Sequence, residues 1–444
     1  MSVRRSFVVL FFVAAGLILG VGARSAAGPP TLSFGEPIVA DWPVEGGGYG
    51  DVDKIAIGDL TGDGRPDLAI TSPLDGLVST VINRGHGRFE AGQAYQVASL
   101  ETYAKISHVA IADLNGDGER DLVAEKTTAS DQIVSVLLNR GRGDFSAPVE
   151  YPAGRAPGYP ALALADLNGD GRSDVVTTTA LNILVLFDNS DGTLGSSVAY
   201  PTATEPFAVA VGDLSGDGKP DVVTVNYRAH TVSVLLNTGD GTLGAGTDYT
   251  TGGAGGAPFT LALADLNGDH KLDVATGNQH HVSLLLGRGG GVLAPPRMYG
   301  GDLLDVVDMN ADGRPDLVGG GDVRLNRGDG TFEPPLTYFY PWAVGDLNRD
   351  GRPDLVFPTF SDRNGQWSLY VRLDNPRACS VQPAVGKRLA LARRILVLAN
   401  CRVGRVGYAH SRTVKRGRVI SQKPPWYAVR RKGARVDLVV SLGR

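Results

Sequence analysis

Seven short stretches of this sequence place oxygen-bearing side chains on alternate residues. The clearest reads Asp166-Leu167-Asn168-Gly169-Asp170-Gly171-Arg172-Ser173-Asp174. Oxygens at positions one, three and five with an Asp at position nine form a donor set for a hard cation. Calcium takes six to eight oxygen ligands on a tightly turned backbone, and the main-chain carbonyl of position seven can join them. Written in the order one, three, five, seven and nine, the first four sets are Asp59, Thr61, Asp63, Arg65 and Asp67; Asp113, Asn115, Asp117, Glu119 and Asp121; Asp166, Asn168, Asp170, Arg172 and Asp174; and Asp213, Ser215, Asp217, Lys219 and Asp221. The last three are Asp265, Asn267, Asp269, Lys271 and Asp273; Asp308, Asn310, Asp312, Arg314 and Asp316; and Asp346, Asn348, Asp350, Arg352 and Asp354. The expected cofactor is therefore Ca2+, up to seven ions. Gly at position six allows the sharp turn through positive φ. Copy five carries His270 there, which tolerates positive φ better than most residues. Copies six and seven replace the position-four Gly with Ala311 and Arg349.

The elements around these loops are strands. An EF-hand would need a helix on each side and a Glu at position twelve. That position holds Ile70, Ala124, Thr177, Thr224, Thr276, Gly319 and Phe357. Short apolar runs such as Leu162-Ala163-Leu164 precede the loops, and runs such as Asp221-Val222-Val223-Thr224-Val225 follow them. Such runs bounded by turn residues are strand signals, so each loop joins two strands of a hairpin. The first Asp recurs at 59, 113, 166, 213, 265, 308 and 346. A strand-rich repeat of that period indicates a propeller.

A second turn recurs within each unit, as in Asn139-Arg140-Gly141, Asn237-Thr238-Gly239 and Asn326-Arg327-Gly328, followed by a strand with Pro and Tyr. Thr31 to Pro37 supplies only the second half of this unit, and Leu369 to Asn375 only the first. Joined, they complete one unit. An N-terminal strand that finishes the last blade leaves no free sheet edge. The expected fold is all-β, a seven-bladed β-propeller over residues 31–376, with a small α+β domain over 379–444.

The repeat resembles the FG-GAP (VCBS-type) repeat of integrin-α-like β-propellers. The resemblance implies calcium bound through side chains one, three, five and nine and the carbonyl of seven. Other candidates are weaker. Tyr159, Phe207, Phe259 and Trp342 precede their loops and could line a sugar site, or simply pack between blades. The segment Glu101-Thr102-Tyr103-Ala104-Lys105-Ile106-Ser107-His108 alone concentrates acid, base and phenol. His280-His281 has no partner at metal-ligand spacing and reads as a solvated turn. A Gly-rich phosphate loop, a nucleophile elbow and a zinc signature are all missing from the sequence.

Residues 1–27 read as a signal peptide: Arg4 and Arg5, an apolar centre to Val21, then small residues, with cleavage near 23–27. An uncleaved signal is the sole route to a membrane. Export suits calcium, since weak extracellular sites match millimolar free ion. The tail, residues 379–444, holds 16 Lys or Arg and one acid, Asp437, within a chain of net charge −4. An acidic array is thus joined to a basic module. Leu389, Ala392, Ile395, Leu396 and Ala399 have helical spacing, and Gly417-Arg418-Val419-Ile420-Ser421-Gln422-Lys423-Pro424 precedes a last strand, Val436 to Gly443. This pattern resembles a PASTA domain of bacterial wall-associated proteins. Trp426-Tyr427 departs from that pattern, standing where a Gly usually follows the Pro. Cys379 and Cys401 are the only two cysteines. In an exported chain they are expected to form one disulfide.

The reading that follows is an exported, non-enzymatic binding or adhesion protein at the bacterial cell surface. Its tail would meet a cell-wall polyanion or peptidoglycan, and its rim a glycan or protein; nucleic acid is not an expected partner. The alternatives are a propeller enzyme acting on polysaccharide, of lyase type, and a purely structural spacer.

Overall fold

The computed structural model describes residues 38–40, 54–73, 75–98, 105–155, 160–252, 257–278, 281–338, 341–361, 366–375, 377–426 and 428–444. The expected signal peptide, Thr31 to Pro37, Glu101 to Ala104, Tyr159, His280 and Tyr427 lie outside these residues. Among the described residues there are seven four-stranded antiparallel sheets. The first contains Ile55–Gly58, Asp67–Ser72, Leu77–Gly85 and Arg88–Gln96 in that order. The next five repeat the order, with first strands Lys105–Ala112, Leu162–Ala165, Pro206–Gly212, Thr260–Ala264 and Asp305–Val307. The seventh is assembled from both ends of the array. Ala343–Gly345, Asp354–Ser361 and Gln366–Arg372 are joined at the edge by Ile38–Ala40, with Val39 opposite Tyr370. Gln366–Arg372 is therefore paired on both sides rather than left as the edge strand.

Apolar residues fill the seams between sheets, and the seams run in a cycle. Ile55 and Leu68 of the first sheet share a core with Val356 and Leu369 of the seventh. Leu304, Val318 and Val323 of the sixth pack with Val344 and Leu355 of the seventh. Two hydrogen bonds recur across these seams. The Tyr of the outer strand donates its hydroxyl to a turn carbonyl of the next sheet: Tyr95 to Gly143, Tyr200 to Gly241, Tyr249 to Gly291 and Tyr299 to Gly330. The Asn that opens the second turn donates its amide twice. Asn139 Nδ2 reaches Arg120 O in its own sheet and Leu60 O in the preceding one, both at 2.9 Å. Asn237 and Asn326 repeat this, and Asn83 links the first sheet to Leu347 O of the seventh at 2.7 Å. In the fifth sheet Gly287 takes this place, because a Cβ there would lie 2.1 Å from Leu272 O.

The tail folds as a helix, Leu389–Leu398, over a three-stranded sheet in which Arg435–Ser441 lies between Arg402–Ala409 and Val419–Lys423. A two-stranded sheet pairs Ala378–Ser380 with Val429–Arg431. The disulfide forms between Cys379 and Cys401, 22 residues apart, as the cysteine count implied. The helix faces two cores. Ala392 and Leu396 pack with Val436, Leu438 and Val440 inside the tail, while Ile395 and Leu398 enter the core shared by sheets six and seven. Gln382 Oε1 accepts from Thr337 N at 2.7 Å, and Arg394 pairs with Glu333. Sheet six has the shortest strands of the seven, of two or three residues, and the tail helix completes its packing. Among the described residues no helix is long and apolar enough to cross a membrane.

Candidate functional site: the aspartate loops

Each loop closes on its own first carboxylate. Asp166 Oδ1 accepts from Gly169 N and Asp170 N at 2.7 and 3.0 Å, and its Oδ2 from Gly171 N at 2.8 Å. Position five repeats this on a smaller scale, with Asp170 Oδ1 accepting from Arg172 N at 2.9 Å. Positions four and six both take left-handed backbone. Gly169 and Gly171 have φ of 78° and 88°, and the substituted residues follow: His270 at 62°, Ala311 at 57° and Arg349 at 63°. Loop five therefore closes like the others, and His270 N reaches Asp265 Oδ2 at 2.8 Å.

Positions one, three and five are exposed or half-buried, except the buried Asn310, while the position-nine Asp is fully buried in all seven loops. Both of its oxygens are engaged by main-chain amides. Asp174 Oδ2 accepts from Leu167 N at 2.9 Å and its Oδ1 from Asp188 N, at the end of the third strand, at 3.0 Å. The same pair of bonds recurs at Asp67, Asp121, Asp221, Asp273, Asp316 and Asp354. Position nine thus ties the loop to the third strand. Burial pushes these carboxyls up, to about 6 at Asp67, Asp121, Asp174 and Asp273, about 7 at Asp354 and about 8 at Asp316. The amide bonds oppose this shift, and the carboxylates of positions five and one add to it. Three acids therefore repel one another across each loop, a field that a cation would relieve.

Position seven contributes more than a carbonyl. Its side chain folds back on the position-five carboxylate in Arg65–Asp63, Arg172–Asp170, Lys219–Asp217 and Arg314–Asp312. Arg352 turns instead to Asp374, at 3.0 Å. Among the described residues, no three His, Cys, Asp or Glu side chains are gathered as a metal-ligand group. The donor chemistry fits calcium, being hard oxygen throughout, while position nine faces its two amides.

Three of the aromatics that precede the loops make packing contacts among the described residues. Phe207 stacks on Tyr227 at 5.4 Å, Phe259 is buried and Trp342 lies against the core between sheets one and seven. Sequence reasoning reached only half of an acid–base pair, the half-buried His108, and missed its buried partner Glu125. His108 stands directly opposite Glu125 on the neighbouring strand, with Nδ1 3.4 Å from Glu125 Oε2. Gln132 Nε2 and Thr177 Oγ1 both donate to Glu125 Oε1, the latter from the third sheet. The available signal for Glu125 was the register: four residues after the position-nine Asp, the other sheets carry Thr71, Thr178, Val225, Gly277, Gly320 and Pro358.

The FG-GAP-like repeat pattern matches residues 59–124, 127–177, 166–224, 213–276, 265–319 and 308–357, stretches that between them contain all seven loops. The chain belongs to the FG-GAP-like repeat family. No curated protein sequence matches it. Its fold is similar to that of a lectin from Agrocybe aegerita solved for its recognition of non-reducing terminal N-acetylglucosamine (23% identity, 65% of this chain and 80% of that chain, TM-score 0.48). It is similar also to BBS1N solved in complex with ARL6DN (14% identity, 72% and 91%, TM-score 0.49). A third similar structure is the rhamnogalacturonan lyase of Bacillus licheniformis (14% identity, 72% and 60%, TM-score 0.42). The FG-GAP-like repeats form a β-propeller fold whose loops sit at one end of each sheet.

Proposed function

We propose that this FG-GAP-like chain is an exported, calcium-binding, seven-bladed propeller that acts as a non-enzymatic binding protein at a bacterial cell surface. In this reading the PASTA-like tail holds it against a wall polyanion. One observation carries the reading: of the tail's 16 cations, only Arg394 makes an ion pair among the described residues, and that pair is with Glu333 of the array. Unpaired cations stay at the surface, because burying them is too costly. The result is a basic module whose other 15 cations have no ion-pair partner among the described residues. Seven cyclic sheets support the blade count, and seven oxygen-donor loops support the metal. Calcium would neutralise the carboxylates of positions one and five of each loop, with the hydroxyl or amide oxygen of position three as a further donor. The test is co-sedimentation of the full chain with purified walls, bound at low salt and released at 1 M, where the Debye length falls to about 3 Å. A chain that stays in solution at low salt sinks the reading.

A polysaccharide-active enzyme is the second reading. It needs an unrepeated acid–base pair, and His108 with Glu125 is one, held at the end of sheet two away from its loop. Reducing-end release from a panel of polysaccharides by the wild type, lost in His108→Ala, would favour it.

A further inference from the structure

The tail's cations are not spread evenly. Nine of the 16 lie at the two ends of its central strand, Arg435–Ser441. At one end, the turn after Val429–Arg431 presents Arg430, Arg431, Lys432 and Arg435, all exposed. Arg402 stands directly opposite Arg435, and its amide is fixed by Ala434 O at 2.9 Å. Lys432 N is held by Arg377 O at 2.7 Å, which brings the exposed Arg377 to the same tip. At the other end, Ser441 pairs with Ala409, and Gly417 N donates to Ser441 O. The segment between Ala409 and Gly417 carries Arg412, Lys415 and Arg416, all exposed. An open cleft of about 430 Å³ beside it is lined by His410, Ser411, Arg412 and Arg444. Between the two ends lies Asp437, the tail's one acid, directly opposite the exposed Lys423; its Oδ1 accepts from the amide of the exposed Arg405 at 2.7 Å.

Seven strand residues at about 3.3 Å each separate the clusters by roughly 20 Å. A single small anion cannot touch both. Arg402 and Arg435 are neighbours on parallel strands, and their like charges repel unless something neutralises them. The cations are mostly Arg, whose planar fork matches phosphate and carboxylate oxygens in pairs.

We propose that the tail binds a linear anionic glycopolymer lengthwise, with its two ends gripping charged groups about 20 Å apart. The inference rests on the wall-polyanion reading above and names its footprint. Two linked weak sites convert the second contact into an intramolecular one, so affinity rises once the polymer spans both. Poly(glycerol phosphate) and polygalacturonate supply the phosphate and carboxylate versions of this charge pattern.

The experiment uses the full chain and each polymer at two lengths, two units and twenty. Two variants alter only exposed side chains: R430Q/R431Q/K432Q and R412Q/K415Q/R416Q. On the twenty-unit polymer, either triple variant should weaken binding at least ten-fold. On the two-unit polymer, too short to span about 20 Å, either should weaken it only about two-fold. Whichever polymer gives the larger length effect identifies the preferred anion. Equal losses at both lengths would overturn the two-ended footprint while leaving the polyanion reading in place. Absence of wild-type binding at either length would overturn both. A dT20 strand binding as tightly would overturn the assignment to a glycopolymer, since charge alone would then be read.

Discussion

The guanidinium of Arg394, on the tail helix, grips the carboxylate of Glu333, at the turn of sheet six, through two hydrogen bonds, one of them 3.1 Å from Nε to Oε2. Arg327 of the same turn reaches Glu333 as well, at 3.3 Å. The array and the tail are therefore joined by a shared ion cluster beside a shared apolar core. Burial raises the Glu333 carboxyl, but its bonds to Arg394 and Arg327 outweigh this and hold it below the ordinary value of 4.5. A depressed carboxyl stabilises the fold above its unfolded value and loses that contribution as pH falls through its folded value. Glu333→Gln should cost about 1 kcal/mol at pH 7, the pair being partly exposed. The cost should shrink below pH 4.5. Melting curves of both proteins at pH 7 and pH 3 test this, and an equal gap at both values would refute it.

Ile395 is the bolt of the same joint. Its side chain is buried in the core of sheets six and seven rather than in the tail's own core. Ile395→Ala should cost about 2–4 kcal/mol. The loss should appear in hydrogen exchange at Asp316–Val318 and Asp322–Arg324 as well as in the tail. Exchange that quickens in the tail alone would show the joint to be superficial.

The loops should separate two kinds of aspartate. Asp174→Ala leaves the amides of Leu167 and Asp188 without their acceptor. At about 1–3 kcal/mol for each orphaned buried donor, it should destabilise the protein even without calcium. Asp170→Ala, at the rim, should leave apo stability within about 0.5 kcal/mol and lower calcium stoichiometry by one. Calorimetric titration with paired melting curves checks both, and identical behaviour of the two variants would dissolve the distinction.

Calcium itself should raise the melting temperature, because a ligand that binds only the folded chain adds its binding free energy. Superimposable curves in calcium and in chelator would end the metal proposal.

The disulfide brackets the tail helix. Removing it through a Cys379→Ala/Cys401→Ala double variant should cost about 3 kcal/mol, by the chain-entropy estimate for a loop of this length. Non-reduced peptide mapping should return the two cysteines as one linked pair.

What the sequence determined by itself was local. Alternate oxygens, a left-handed residue at position six and short apolar runs within a few residues define each loop hairpin, so all seven could be read directly. Closure of the last sheet by an N-terminal strand was expected from the half-units at Thr31 to Pro37 and Leu369 to Asn375; the first lies outside the described residues, and the closing strand is Ile38–Ala40 just after it. Asn139, Asn237 and Asn326 were visible as turn residues, but their second partner lies in the sheet before, 79, 70 and 60 residues away. Glu125 meets Thr177 across 52 residues, and Arg394 meets Glu333 across 61. The helix showed its apolar spacing, though not that Ile395 and Ala392 serve different cores. Those pairings were decided by how the sheets and the tail stack. Stacking is set by the summed burial of many side chains over the whole molecule, and no local spacing records which distant surface a given side chain will meet.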